Sequence, residues 1–238
     1  MIKKLVVLAT AALLAGCVTA VDKFETEMPV GSVVSGNISS EQGEIYLPPG
    51  NWTVMGKTID RNNSYQAFGS VVLGRIGQDN KLDGLVFYST ALETGMRYGF
   101  IATGSCDAEQ GDLYHEKSSN QEFGNQGCVR VQELDTDFAA AKQAHFSQTE
   151  SYLTTHNIKR PETMLYSFYR VVRKNKFLNV AYGFDFRQSA QEMLPDFEPK
   201  EAFTYDRQFG TELWKSNLET VISWSKEKED LIRATYLD

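Results

Sequence analysis

Met164-Leu-Tyr-Ser-Phe-Tyr-Arg-Val-Val172 and Phe177-Leu-Asn-Val-Ala-Tyr-Gly-Phe-Asp-Phe186 flank Lys174-Asn175, and how these two runs are read decides the fold. Both are dense in β-branched and aromatic residues, which suit a pleated, half-buried surface. Lys174 and Asn175 supply a short polar turn, so the runs predict an antiparallel hairpin. Side chains alternate across a strand, so Tyr166, Phe168, Tyr169, Phe177, Tyr182, Phe184 and Phe186 cannot all point into one core. An aromatic row left on the outside would mark a binding surface.

Just before the hairpin, Pro161 closes a connection from a segment of different texture. Asp137 to Thr155 holds neither Gly nor Pro. Phe138, Ala141, His145, Thr149 and Tyr152 recur there at helical spacing, with Phe146 and Leu153 beside them. Asp135, Thr136 and Asp137 are candidate N-caps for this helix. After the hairpin, Pro195 and Pro199 punctuate the chain, and a second helix is expected from Phe209 to Tyr236. Its inner stripe is Leu213, Trp214, Leu218, Val221, Ile222 and Ser225, followed by Leu231 and Ile232.

The earlier part of the chain reads as strands. Gly43 to Leu47 and Trp52 to Met55 flank Pro48-Pro49-Gly50-Asn51, which has tight-turn chemistry. Tyr65 to Gly77 and Leu82 to Ser89 flank a hairpin loop at Gln78-Asp79-Asn80-Lys81, and Arg97 to Thr103 reads as a further short strand. Runs of strands with two helices placed late imply an α+β domain. The expected arrangement is a mainly antiparallel sheet with both helices packed on one face.

Composition excludes some classes of function. A chain that is 42% hydrophobic and 12% aromatic can build a core and is not a disordered segment. Its formal charge of −7 gives no general affinity for nucleic acid. Partners are expected among proteins, glycans or small molecules instead.

The first residues carry an address. Lys3 and Lys4 precede an apolar run from Leu5 to Leu14, about the length of a signal-peptide core and too short to cross a bilayer, which needs about 20 residues. Leu14-Ala15-Gly16-Cys17 follows and resembles the lipobox of bacterial lipoproteins. That resemblance implies acylation of Cys17 and removal of residues 1–16. Two or more acyl chains make a stable anchor, so the membrane becomes a partner through lipid. Val18 stands where an aspartate would signal inner-membrane retention, which makes the outer membrane, facing the periplasm, the expected location. The expected organisation is a signal peptide over 1–16, an anchor and short tether over 17–40, and one domain over 41–238. Processing takes away Lys3 and Lys4 and leaves 22 basic against 31 acidic residues, or −9. Leu47-Pro48-Pro49-Gly50-Asn51-Trp52, and Arg160-Pro161 leading into the hairpin, also resemble features of uncharacterised exported proteobacterial proteins. In those an acidic residue often precedes the tryptophan, where Asn51 stands here. This second likeness brings no site residues with it.

With Cys17 assigned to lipid, Cys106 and Cys128 are the remaining thiols, and an oxidising compartment predicts a disulfide between them. The segment it closes, Asp107 to Gly127, is polar and reads as a solvated loop. A Cys-x-x-Cys redox spacing is absent.

Motifs for chemistry are sparse. His145 falls on the first helix's apolar face and is expected to be hydrogen-bonded and partly buried. His156, at that helix's end, suits a capping role. His115 lies among Asp107, Glu109, Asp112 and Glu116, but without the alternation and turn glycine of an EF-hand. Ser105 lacks the Gly-x-Ser-x-Gly elbow of a hydrolase. Arg170, Arg173, Lys174 and Lys176 read as the wet end of the hairpin, with contact to lipid headgroups or an acidic partner as the alternative. No catalytic residue, metal or cofactor is expected. The leading expectation is an envelope binding or assembly component. The alternatives are a hydrolase using His115 or His145 as base, or a receptor for a small hydrophobic ligand.

Overall fold

The structure, a computed structural model, describes residues 19–77, 80–93, 100, 104–121, 124–184 and 212–238. Among the described residues there are ten strands: β1 (Val33–Val34), β2 (Ile38–Ser40), β3 (Gly43–Ile45), β4 (Trp52–Arg61), β5 (Ala67–Ile76), β6 (Leu82–Ala91), β7 (Asp112–Gln121), β8 (Asn125–Asp135), β9 (Thr163–Arg173) and β10 (Lys176–Phe184). The α-helices among the described residues are α1 (Ala20–Thr26), α2 (Ala144–Thr155) and α3 (Glu212–Leu237). Eight strands form one antiparallel sheet in the order β1-β4-β5-β6-β10-β9-β8-β7, and β2 and β3 pair separately. The sheet therefore joins two meanders, β4-β5-β6 and β7-β8-β9-β10, along β6 and β10. The class is α+β, and the deciding hairpin turns at Lys174 and Asn175, with Lys176 opposite Arg173. Phe186 and the expected strand at 97–103, Phe100 apart, lie outside the described residues.

The two late helices cover opposite faces of the sheet, where the sequence suggested one. Alternation along β9 shows why. Leu165, Tyr169 and Val171 share a core with Val86, Tyr88, Val180, Tyr182 and Phe184, and α3 closes it with Val221, Trp224, Ile232 and Tyr236. Met164 and Tyr166 point the other way and join Met55, Val72, Leu82, Leu85 and Ala181 beneath Leu153 of α2. A sheet apolar on both sides needs a cover on each. At α3 the expected stripe holds at Val221, Ser225 and Ile232, which are buried, but Trp224 joins it and Leu231 is 43% exposed. Leu213 and Trp214 belong to the side chains that are not described.

α2 starts at Ala144 rather than near Asp137. The residues expected to cap it are engaged elsewhere. Thr136 donates from its hydroxyl to the Pro161 carbonyl and from its backbone to Glu162, and Asp137 accepts from the Ala139 amide. Phe138 still reaches the core and stacks on Phe146 at 5.5 Å. The expected loop at 107–127 is instead largely the hairpin β7–β8, with β8 paired to β9 along its whole length. Backbone pairing and the disulfide hold that segment, so its polar side chains are no obstacle to strand formation at the sheet's edge. The runs either side of Pro48–Asn51 belong to different sheets, and the indole of Trp52 donates to the Pro48 carbonyl at 2.9 Å. Residues 20–40, expected as a tether, hold α1, β1 and β2. Thr19 and Asp22 cap α1 reciprocally, and Phe24 lies over Gly69.

Candidate binding face

On the α2 side, the helix covers the β4–β5 end of the sheet. Further along the same face, period-two alternation brings up Phe87 on β6, Phe177 and Asn179 on β10, Phe168 and Arg170 on β9, and Gln126 and Arg130 on β8. All but Gln126, which is buried, are half-buried. Phe68, Phe100 and Phe177 form a cluster of three rings with centroids 5.1 to 5.8 Å apart. The Arg170 guanidinium lies 5.0 Å from the Phe177 ring centroid, and that of Arg130 lies 5.9 Å from Phe168.

Each arginine is aimed by its neighbours. Arg170 donates to Gln126 Oε1 at 2.7 Å and to Asn179 Oδ1 at 3.1 Å. Burial, and then the neighbouring charge of Arg130, pull its pKa down to about 10, so it stays cationic at neutral pH. Arg130 Nη1 stands 2.6 Å from Glu109 Oε1 as an ion pair, although it is not aligned for a hydrogen bond. Aromatic rings interleaved with guanidiniums are the chemistry enriched at protein interfaces.

The disulfide lies on this face. Cys128 sits opposite Arg170 in register, and Cys106 bonds to it across a Cα–Cα distance of 5.8 Å, as the cysteine count implied. His115 adds a second tie from its Nε2 to the Cys106 carbonyl at 2.9 Å. Together they hold the Gly104–Cys106 turn against the sheet. The carboxylates around His115 do not converge on a point. Asp107 pairs with Lys117, Glu109 with Arg130, Asp112 accepts from Gln132, and Glu116 accepts from the Tyr114 hydroxyl. Among the described residues no group of three His, Cys, Asp or Glu side chains could hold a metal ion.

His145 is 3% exposed, stacked on Phe87 at 5.2 Å, with Nδ1 3.0 Å from Thr58 Oγ1. Its Nε2 is buried without a partner, and burial lowers its pKa against a smaller opposing effect of Asp60. It is a neutral core histidine. His156 is the C-cap of α2 and receives a hydrogen bond from Asn80 on its carbonyl. Ser105 lies exposed in the turn that ends at Cys106. Of the basic cluster, Arg173 and Lys174 are exposed at the hairpin tip, but Arg170 belongs to the sheet face. Lys176 holds the carbonyls of Tyr236 and Leu237. Cys17 lies outside the described residues. Sequence reasoning missed Arg130 and Gln126 as neighbours of Arg170, and Glu109 as the partner of Arg130. The β8–β9 register that brings Arg130 and Gln126 to Arg170 is not legible when 107–127 reads as a loop and no strand is expected over 128–135. The chain matches no known protein family, no curated protein and no solved structure.

Proposed function

We propose that this chain is a lipid-anchored protein of the bacterial cell envelope, held through Cys17 on the outer membrane facing the periplasm, and that it acts as a binding or assembly component. The Leu14–Cys17 stretch supports the anchor. The observation that carries the binding role is the band of Arg130, Phe168, Arg170 and Phe177, half-buried side chains of interface type on a sheet face braced by a disulfide. The partner is another envelope protein. A hydrolase would need an imidazole placed as base, whereas His145 is buried under Phe87 and His115 is tied to the Cys106 carbonyl. A receptor for an apolar ligand would need a roomy cavity. The space between α1 and β6 has a volume of about 20 Å³, room for one water at most, and the larger hollow of about 720 Å³ beside α2 is an open, mainly polar-residue surface bordered by Lys142, Ser147, Gln148, Ser151 and His156.

The test replaces Phe168 with a photo-crosslinking phenylalanine analogue in living cells, with Glu219 on α3 as the control position. A discrete adduct at 168, absent at 219 and lost in Cys17→Ser, is expected. The same pattern at both positions would count against the binding face.

A further inference from the structure

One end of the sheet gathers features that the binding face does not use. The β4–β5 turn is tightly built. Asn62 Oδ1 accepts from the amides of Ser64 at 2.9 Å and Gln66 at 3.0 Å, and Arg61 donates to the Tyr65 carbonyl at 2.7 Å. Within this frame Tyr65 has φ +62° and is 80% exposed. A bulky residue held in the left-handed region is uncommon and marks positions where strain is retained for a purpose. The turn therefore presents a phenol ring to the outside on a rigid base.

Strand pairing places the β9–β10 tip at the same end. Phe68 lies opposite Ala91 and Leu178 opposite Thr90, so both turns project past the same rungs, about 14 Å apart. That second tip exposes Arg173, Lys174 and Asn175. Of the acids nearby, Glu93 pairs with Arg61 and Glu41 with Lys23, whereas Asp60, opposite Phe68, is exposed and Asp238 lies close to Lys176.

α1 starts at this end too. Ala20 borders the space lined by Thr90 and Leu92, and the Leu92 amide donates to Ala67, the first residue of β5. At the other end of α1, the carbonyls of Glu25 and Glu27 meet Lys57, which pairs with Val71, four residues further along β5. Cys17 precedes Thr19 by two residues, a reach of about 7 Å at most. An anchor at Cys17 would thus be confined to the end of the molecule that carries the two tips.

We infer that this end faces the bilayer and that Tyr65, with Arg173 and Lys174, makes a second, non-covalent contact with the lipid headgroup layer. The inference rests on Cys17 being the lipid anchor. Tyrosine suits the membrane interface because its ring is apolar and its hydroxyl stays wet, and the basic pair favours anionic headgroups. The remaining net negative charge opposes any closer approach of the domain, so the contact sets orientation rather than depth.

The acylated full-length protein is reconstituted into phosphatidylethanolamine vesicles containing a minority of phosphatidylglycerol. A spin label is placed at Asn63→Cys, beside Tyr65, or at Glu162→Cys, at the opposite end of β9. The label at 63 is expected to be shielded several-fold from a water-soluble nickel chelate while the label at 162 stays open. Tyr65→Ser should reduce that shielding, and Arg173→Ser with Lys174→Ser should remove its dependence on phosphatidylglycerol. Equal accessibility at both positions, or shielding at 162 alone, overturns the inference. Intact mass of the same sample reports Cys17 acylation separately, so loss of the anchor is seen as such. For an unacylated protein, a label at 63 unmoved by added vesicles also overturns the contact.

Discussion

Gly56→Ala probes the tightest join in the fold. α2 rests on β4 so closely that an added Cβ at Gly56 would overlap the His145 carbonyl oxygen and stand 2.6 Å from Thr149 Oγ1, where ordinary contact begins at 3.4 Å. The helix would have to lift by about 0.8 Å or more, and a gap of that size forfeits roughly a quarter to a half of each contact's attraction. His145, Thr149 and Leu153, all buried, lie on the face that would lift. Alanine is normally favoured over glycine in a strand by about 0.5–1 kcal/mol, so the substitution would stabilise an open site. Overpacking costs typically about 1–3 kcal/mol, and backbone pressed on backbone belongs at the upper end. A net loss of about 2 kcal/mol corresponds to a Tm lower by roughly 4–8 °C in a domain of this size. Thermal and urea unfolding of Gly56→Ala measure it, with Gly104→Ala as control, because a Cβ there meets only the exposed Asp107 carboxylate at 3.2 Å. An alanine at 56 as stable as wild type would refute the close docking of α2 on β4.

Other consequences can be checked on the same protein. Replacing Cys106 and Cys128 together by alanine removes a cross-link over a separation of 22 residues and should lower stability by about 3 kcal/mol in urea, with the fold retained. Asp83→Ala should cost about 3–5 kcal/mol, because Arg75 and Asp83 form an ion pair whose side chains are only 9% and 10% exposed. His145 titrates with the sign of a buried base. Its folded pKa is lowered while the unfolded imidazole stays near 6.5, so the unfolded chain takes the proton first. Its contribution is complete above about pH 6.5 and declines as the pH falls from there toward the folded value. Urea midpoints across that window should drop for wild type and drop less for His145→Gln. Parallel curves would contradict the buried neutral imidazole.

Local signals were enough for the elements whose pattern agrees with their environment. The β9–β10 hairpin was legible because a dense apolar run, a polar turn and a second run all specify one local structure. The β5–β6 hairpin was legible for the same reason. The placement of α2 and α3 was not, because it depends on which residues of β9 and β10 face which side, and both sides are apolar there. The start of α2 was misjudged because Thr136 and Asp137, good caps by type, are drawn to Pro161, Glu162 and Ala139. β7 and β8 were hidden by composition. Their ladder is made by backbone groups, and Gly, Asn, Gln and Glu side chains say little about pairing with β9. The disulfide was legible by counting cysteines. The Arg130–Phe168 and Arg170–Phe177 pairs were not, since they need the β8–β9 register.

The anchor underlies both the proposed envelope role and the orientation inferred for the domain, and one measurement reaches it directly. The mature protein is extracted from the membrane fraction of expressing cells, and its intact mass and N-terminal peptide are determined. The account predicts a chain that begins at Cys17 and carries the added mass of acyl chains, with Cys17→Ser leaving the membrane fraction. A chain that begins at another residue, or an unmodified Cys17 in the soluble fraction, would contradict it.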